Sequence, residues 1–259
     1  MIITLLTDFG LSDAYAGVMK GVILNICPDA GVVDLTHGIP PQDREQAAFV
    51  LKSAYAYFPE GTIHVAVVDP GVGTGRAALV VRTRDFLFVA PDDGVLKYVF
   101  EAHPEARVFR ADRPEFLLPD PSATFHGRDI FAPLAGHLAL GIHPEALGDP
   151  FPDFERGRIL RPVIRAGEIR GAILYFDRFG NAVTNLDRLL LEGVSVRAIH
   201  AGGLTLGGVL RTYADVPAGE PVAYIGSAGT LEIGVNMGDA RARYGLKAGD
   251  GVVVGLGLS

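Results

Sequence analysis

The sequence predicts an α/β N-terminal domain with a central, mostly parallel but mixed sheet, followed by a smaller all-β barrel domain. Three observations carry that prediction. Short apolar runs at Ile2–Leu6, Val32–Leu35 and Ile63–Val68 alternate with helical patterns, the βαβαβ order that builds a parallel sheet. The stretch from Gly148 to Pro162 holds three prolines and several charges with little periodicity, as a connector does. Beyond it, short strands alternate with glycine turns and helical spacing almost disappears. The domains are therefore placed at 1–150 and 163–259, with 151–162 as the linker.

Taken in order, the first strand ends in Thr7-Asp8-Phe9-Gly10, and Ser12 and Asp13 offer caps for a helix carrying Ala14, Val18, Val22 and Ile26. Pro28 stops that helix. After the second strand come Thr36-His37-Gly38 and the breaker Pro40-Pro41, then a helix over 42–58 with Ala47, Val50, Leu51, Ala54 and Phe58 at apolar positions. The third strand ends at Asp69, and Pro70, Gly71, Gly73 and Gly75 force an open loop closed by Arg76. The next runs, Ala78–Arg82 and Phe86–Ala90, read as a hairpin, so the sheet is mixed. A short helix follows from Pro91-Asp92-Asp93-Gly94 to Phe100, where the two acids suit a helix N-terminus. Arg107–Arg110 reads as a strand, and a helix runs from Asp129 to a stop at Gly141. In the C-terminal part, strands are expected at 169–176, 196–201, 222–225, 230–235 and 251–256. Helical pieces are expected at 239–244 and 186–191.

The 259 residues are 49% hydrophobic, enough for a full core, and the formal net charge is −7. No Lys or Arg cluster stands out, so no nucleic-acid partner is expected. No apolar run approaches the ~18 residues of a membrane span, and the N-terminus lacks the basic start and cleavage site of a signal peptide. The single cysteine, Cys27, rules out an intrachain disulfide and suits a reducing, cytoplasmic setting. It reads as a buried, inert thiol.

Four polar clusters fall where strands give way to loops: Asp8 with Asp13, Asp69 with Arg76, His126 with Arg128, and Asp177 with Asn181. Strand ends in open α/β sheets are where ligands bind. Each cluster also has a structural reading: Asp13 and Asp129 as helix caps, Asp69 and Arg76 as a surface ion pair on a hairpin connection, His37 and His137 as structural histidines. The loop GVGTG is not a dinucleotide fingerprint, because a strand rather than a helix follows it. No HExxH, paired-cysteine or phosphate-loop pattern occurs, so no metal site is expected.

Eight separated motifs, taken together, resemble one family: TDFG at 7–10, Cys27-Pro28, DLTHGIPPQD at 34–43, VVDPGVGTGR at 67–76, APDDG at 90–94, TFHGRD at 124–129, DRFGN at 177–181 and GSAGTLEIGVN at 226–236. The chain resembles the S-adenosyl-L-methionine hydroxide adenosyltransferases, relatives of the fluorinating and chlorinating enzymes that use the same substrate. The resemblance implies hydrolysis of S-adenosylmethionine to adenosine and methionine by attack of water or hydroxide on ribose C5′. It implies no cofactor, and a homotrimer with active sites between subunits. Carried over by motif, Asp69, Arg76 and His126 match the set around the attacking water, and Asp8 the carboxylate on the ribose diol. Asp13, Asp177 and Ser227 match contacts to the methionine end. Asn181 matches the side chain that reads adenine, Val235 and Met237 backbone contacts to adenine, and Tyr213 a ring stacked on it. Phe125 is a further substrate contact.

Two positions separate hydroxide from halide chemistry. The halide-using relatives carry an aromatic hydroxyl residue at the position of Asp69, and the fluorinating type a serine at that of Gly127. An acid at 69 repels a halide and is able to take a proton from water. Ala228 stands where the fluorinating relatives place an arginine beside the methionine carboxylate. Three other readings remain at this stage: halogenation of the same substrate, a metal-dependent hydrolase built on His126 and the aspartates, and a non-catalytic adenosine- or S-adenosylmethionine-binding module.

Overall fold

The computed structural model describes residues 1–257. The chain divides into two compact units, one from Met1 to Ile159 and one from Leu160 onward.

In the first unit, β1 (Ile2–Thr7), α1 (Tyr15–Ile26), β2 (Gly31–Thr36), α2 (Arg44–Ala54) and β3 (Ile63–Val67) follow the expected βαβαβ order. β4 (Ala78–Arg82) and β5 (Leu87–Pro91) form the expected hairpin. α3 (Lys97–Ala102), β6 (Arg107–Ala111), α4 (Ala132–Ala139), α5 (Pro144–Leu147) and β7 (Gly148–Pro150) complete the unit. The seven strands lie in the order β2-β1-β3-β5-β4-β6-β7. β2, β1, β3 and β5 are parallel, while β4, β6 and β7 pair antiparallel. Alternation along the strands feeds two cores. Ile3, Leu5 and Val65 face Met19 and Ile23 of α1 and Leu134 and Leu138 of α4. Leu6, Leu79 and Phe88 face Leu51 of α2 and Leu96 and Val99 beside and within α3. Helices on both faces leave the carboxyl ends of the parallel strands as the open rim.

Several local readings are corrected. The buried stripe of α1 is Ala16, Met19 and Ile23, one position out of phase with the expected one, and Val18 is exposed. Ser12 and Asp13 do not cap α1, whose N-cap is Ala14 without a side-chain hydrogen bond. α2 starts two residues late because Gln42 has left-handed backbone, φ +66°. Asp43 is the cap, accepting from the Gln46 amide at 2.9 Å. Asp92 and Asp93 lie in the turn before α3 rather than in its first helical turn. Asp129 is not a cap. It sits inside a π-helical turn, Gly127–Phe131, that runs into α4. In the stretch 148–162, Gly148–Pro150 pairs with β6, and Phe151 and Phe154 pack on the core.

The second unit contains β8 (Val163–Arg165), β9 (Glu168–Phe176), β10 (Ala182–Asp187), β11 (Val196–Ala201), β12 (Leu204–Leu206), β13 (Pro221–Ile225), β14 (Thr230–Val235), α6 (Ala240–Tyr244) and β15 (Gly251–Leu256). Its path, β12-β11-β15-β9-β10-β14-β13, is antiparallel throughout and curls into a nearly closed, barrel-like sheet around Ile173, Leu186, Ile199 and Ile233. The five expected strands are present within a residue or two. β8, β10 and β12 are additional. The stretch 186–191, expected to be helical, is the end of β10 followed by a single 3-10 turn, Arg188–Leu190. There the Thr184 hydroxyl donates to the Leu231 carbonyl at 2.7 Å and fixes the strand to its neighbour.

Candidate active site

β1 and β3 are adjacent, and α1, which follows β1, and α2, which leads to β3, lie on opposite faces of the sheet. The carboxyl ends of the two strands therefore border a crevice. A cavity of about 310 Å³ opens there, walled by Asp8, Gln42, Asp69, Phe125, His126 and Tyr15 among others. Asp8 follows β1 directly, and Asp69 follows β3 by two residues. His126 immediately precedes the π-helical turn, a feature often found at functional sites.

Asp69, Arg76 and His126 meet. Arg76 Nε donates to both carboxylate oxygens of Asp69, at 3.0 and 3.1 Å, and Arg76 Nη2 donates to Oδ2 as well. The same Nη2 lies 2.7 Å from His126 Nδ1. A guanidinium only donates, so Nδ1 must be the acceptor. The imidazole is then neutral with its proton on Nε2. Burial, and then the Arg76 charge beside it, hold the His126 pKa below the ordinary imidazole value, in agreement with that tautomer. Asp69 and Arg76 are nearly sealed from solvent, their side chains 5% and 9% exposed, and the guanidinium lies 5.0 Å over the Phe131 ring. A pair this dry holds its geometry strongly, because removing either partner strands a buried charge.

Two glycines make the approach possible. Gly73 has φ +77°, and a Cβ there would sit 2.5 Å from the Ala123 carbonyl oxygen. The loop bearing Asp69 and Arg76 thus lies backbone-to-backbone against the loop bearing His126. That second loop is tied down by Asp129, whose Oδ2 accepts from the Ser122 amide at 2.8 Å while Arg128 grips both its oxygens. Arg128 is therefore turned to Asp129 rather than to His126. A Cβ on Gly127 would come within 3.0 Å of Phe9, whose ring packs edge-on against Tyr15 and Phe125 to form the apolar wall.

Asp8 accepts from the Gln42 amide at 2.8 Å through Oδ2, leaving Oδ1 open. Gln42 and Tyr15 were not singled out by sequence. The signal for Gln42 was its place after Pro40-Pro41 at the end of the second crossover's loop, where a left-handed residue turns its amide outward. Asp13 is exposed and does not line the cavity. Asp93 was read only as a helix-end acid, yet its Oδ2 is buried without a partner and burial pushes its pKa up to about 7. Arg44, Asp69 and Arg76 are its charged neighbours. Cys27 is buried and free.

The remaining expected residues belong to the second unit. Asp177 turns its carboxylate on its own loop, accepting from the Phe179 amide at 2.9 Å, the Asn181 amide at 2.8 Å and Asn181 Nδ2 at 2.8 Å. Asn181 is buried and meets Tyr213 over Gly234, where a Cβ would lie 2.5 Å from Asn181 Oδ1 and 2.8 Å from the Tyr213 ring. The Tyr213 hydroxyl contacts that of Tyr224, which donates to Glu232 Oε2 at 2.7 Å. Ser227 is exposed on the turn between β13 and β14. Val235 is buried, and Met237 beyond it is 90% exposed with φ +56°. A larger cavity of about 850 Å³ in this unit has mainly aliphatic walls, with Arg188 and Glu192 its charged members, and holds no acid–base set. Among the described residues no group of three or more His, Cys, Asp or Glu is placed to hold a metal ion, and no helix is long and apolar enough to cross a membrane.

A doubly wound α/β unit with a carboxylate, a guanidinium and a neutral imidazole converging at the rim of its parallel strands, followed by an antiparallel barrel-like unit, defines a small-molecule enzyme class. The chain belongs to the SAM hydroxide adenosyltransferase family: residues 3–148 match the family's N-terminal domain and residues 171–253 its C-terminal domain. It is 45% identical over 251 residues to the (R)-S-adenosyl-L-methionine hydrolase of Thermus thermophilus, covering 94% of this chain and 95% of that protein. It is 29% identical over 288 residues to a fluorinase of Actinoplanes sp., covering 98% and 97%. A crystal structure of an uncharacterized conserved protein from Thermotoga maritima superposes with a TM-score of 0.91 at 39% identity, covering 98% of this chain and 99% of the other.

Two outcomes follow from the geometry. Gly73→Ala should push the two loops apart and lower kcat/KM by up to about 100-fold, the scale of a 1 Å misplacement, with a stability loss above about 1 kcal/mol measured by denaturant unfolding. Asp93 has the opposite sign from a salt-bridged acid. Its folded pKa lies above the unfolded value of ~3.9, so the fold favours its protonated form and loses stability as pH rises from about 4 to about 7. Asp93→Asn should therefore melt at least about 2–4 °C higher than the parent at pH 8 and equally at pH 4, by calorimetry.

Proposed function

We propose that this chain hydrolyses S-adenosyl-L-methionine to adenosine and L-methionine, water attacking ribose C5′ in line with the bond to sulfur. The observation that carries this reading is the Asp69–Arg76–His126 contact at the wall of a cavity whose other side presents Asp8. The leaving group departs from a sulfonium as a neutral thioether, so the reaction needs no leaving-group acid, and no cofactor is invoked. What the site must supply is an oriented, electron-rich oxygen.

The tautomer assigns the roles. His126 Nδ1 is occupied by Arg76, so Nε2–H donates to the attacking oxygen and holds it. Asp69 then takes the proton on Oδ1, which accepts a single N–H from Arg76 and keeps a lone pair free, whereas Oδ2 accepts two. Arg76 holds the Asp69 carboxylate in place through charge-assisted hydrogen bonds. An anion such as chloride is disfavoured beside this carboxylate, whereas water is not. Asp8 suits the ribose diol, since one carboxylate accepts from two vicinal hydroxyls. Asp13, Asp177 and Ser227 are assigned to the methionine end. Asn181, Tyr213, and the backbone of Val235 and Met237 are assigned to adenine, and Phe125 to a further substrate contact.

In this reading residues 1–150 carry the reacting centre and 163–259 recognise the adenosine, with 151–162 joining them. The protein works as a homotrimer in the cytoplasm, neighbouring subunits completing each other's sites. Neither nucleic acid nor membrane enters the reading.

Incubation with the substrate should release adenosine and methionine in equal amounts, and no 5′-chloro-5′-deoxyadenosine in chloride. Asp69→Asn should lower kcat by about 10²–10⁴-fold with KM little changed, the range of general base catalysis. A near-normal kcat in that variant would overturn the assignment. The His126 pKa lies below the ordinary value, so the imidazole is neutral at pH 7, and protonating Nδ1 breaks its contact with Arg76. The acid limb of kcat/KM against pH should therefore have its midpoint below the ordinary imidazole value of 6.5, the rate falling as pH drops through it.

A further inference from the structure

Behind the loop that carries Asp8 runs a line of four polar side chains that the reaction does not use. Lys20 Nζ donates to Asp34 Oδ2 at 2.6 Å. Asp34 Oδ1 lies 2.9 Å from His37 Nε2. His37 Nδ1 lies 2.8 Å from the Thr7 hydroxyl, and that hydroxyl oxygen accepts from the Phe9 amide at 3.2 Å. Thr7 is completely buried and His37 only 4% exposed, while Lys20 and Asp34 reach the surface.

With a neutral imidazole the donors and acceptors fit in one arrangement. A carboxylate only accepts, so His37 Nε2 carries the proton that faces Asp34. Nδ1 is then bare and must accept, and the Thr7 O–H is the donor that reaches it. The hydroxyl oxygen remains free to accept the Phe9 amide. His37 also acts through its main chain, its carbonyl accepting from the Gly10 amide at 2.8 Å, with Gly10 at φ +68°. One residue therefore grips the segment Thr7–Gly10 at both ends: by side chain at Thr7 and by backbone at Gly10. Asp8 lies between the two grips, its carboxylate steadied from the front by the Gln42 amide at 2.8 Å. His37 and Gln42 both belong to the connection between β2 and α2, so the same connection holds Asp8 from two sides.

We propose that Lys20, Asp34, His37 and Thr7 form a positioning network for Asp8, fixing its carboxylate in the direction needed to accept a vicinal diol. The proposal rests on the reading of Asp8 as the diol-binding carboxylate. The residues touch no reacting atom. They act through the backbone of Thr7–Gly10. A network of this kind differs from a structural anchor in one measurable way: its loss weakens ligands that carry the diol and spares those that lack it.

The test is calorimetric titration of the full-length protein with adenosine and with 2′,3′-dideoxyadenosine. The parent should bind adenosine the more tightly. His37→Phe and Asp34→Asn should weaken adenosine binding by about tenfold, a change of ~1.4 kcal/mol, and leave 2′,3′-dideoxyadenosine within about twofold of the parent. Lys20→Ala, at the exposed end of the line where folding is not at stake, should shift adenosine in the same direction by a few-fold, and it carries the test if the buried variants fail to fold. Equal weakening of both ligands, or no change in adenosine binding, would overturn the network as a positioning device. A parent protein that binds both ligands equally would instead refute the diol role of Asp8, and the proposal with it. That result is distinguishable because it needs no variant.

Discussion

The site depends on one guanidinium. Arg76 gives N–H donors to Asp69 and to His126 at once. That single placement decides the tautomer of the imidazole and ties together two loops remote in sequence. Because the pair is almost dry, its electrostatics are strong and largely unscreened by salt. The surrounding structure serves this placement. Gly73 lets the loops touch through their backbones, Phe131 offers its ring face to the cation, and Asp129 tethers the loop that delivers His126.

Much of the first unit was readable in advance because its strands are continuous apolar runs bounded by helices. Buried parallel strands require that pattern, and no other fold reproduces it so plainly. Helix ends were less readable. α1 has Ala14 at its N-cap while Ser12 and Asp13 stand unused, because the aromatic contacts of Phe9, Tyr15 and Phe125 determine how the chain enters the helix. Spacing alone does not select the in-phase stripe of α1, because apolar residues occupy both faces of that helix, Met19 and Ile23 on the buried one and Val18 and Leu24 on the exposed one. β10 was missed for another reason. Its sequence AVTNLD mixes polar and apolar residues, and its polar members bond to neighbouring strands rather than to water.

The site was legible as chemistry but not as geometry. An acid and an arginine flanking a glycine loop were visible, and so was a histidine fifty residues further on. That one guanidinium nitrogen would serve both was not, since it depends on a left-handed glycine and a carbonyl facing each other across two loops. The tautomer of His126 is a property of the assembled contact alone. Asp93 escaped notice for a similar reason, because an acid before a helix looks ordinary until its buried, unpartnered oxygen is seen.

Gln42 is a side-chain-bearing residue held in a backbone region that glycine would occupy without strain. Its amide is fixed on the Asp8 carboxylate, so the main chain itself aims that carboxylate. A carboxylate held in this way has already surrendered part of its rotational freedom. The ordering cost that a loose aspartate would meet on binding is met here in folding, and local discomfort in one peptide is exchanged for a fixed direction at a carboxylate.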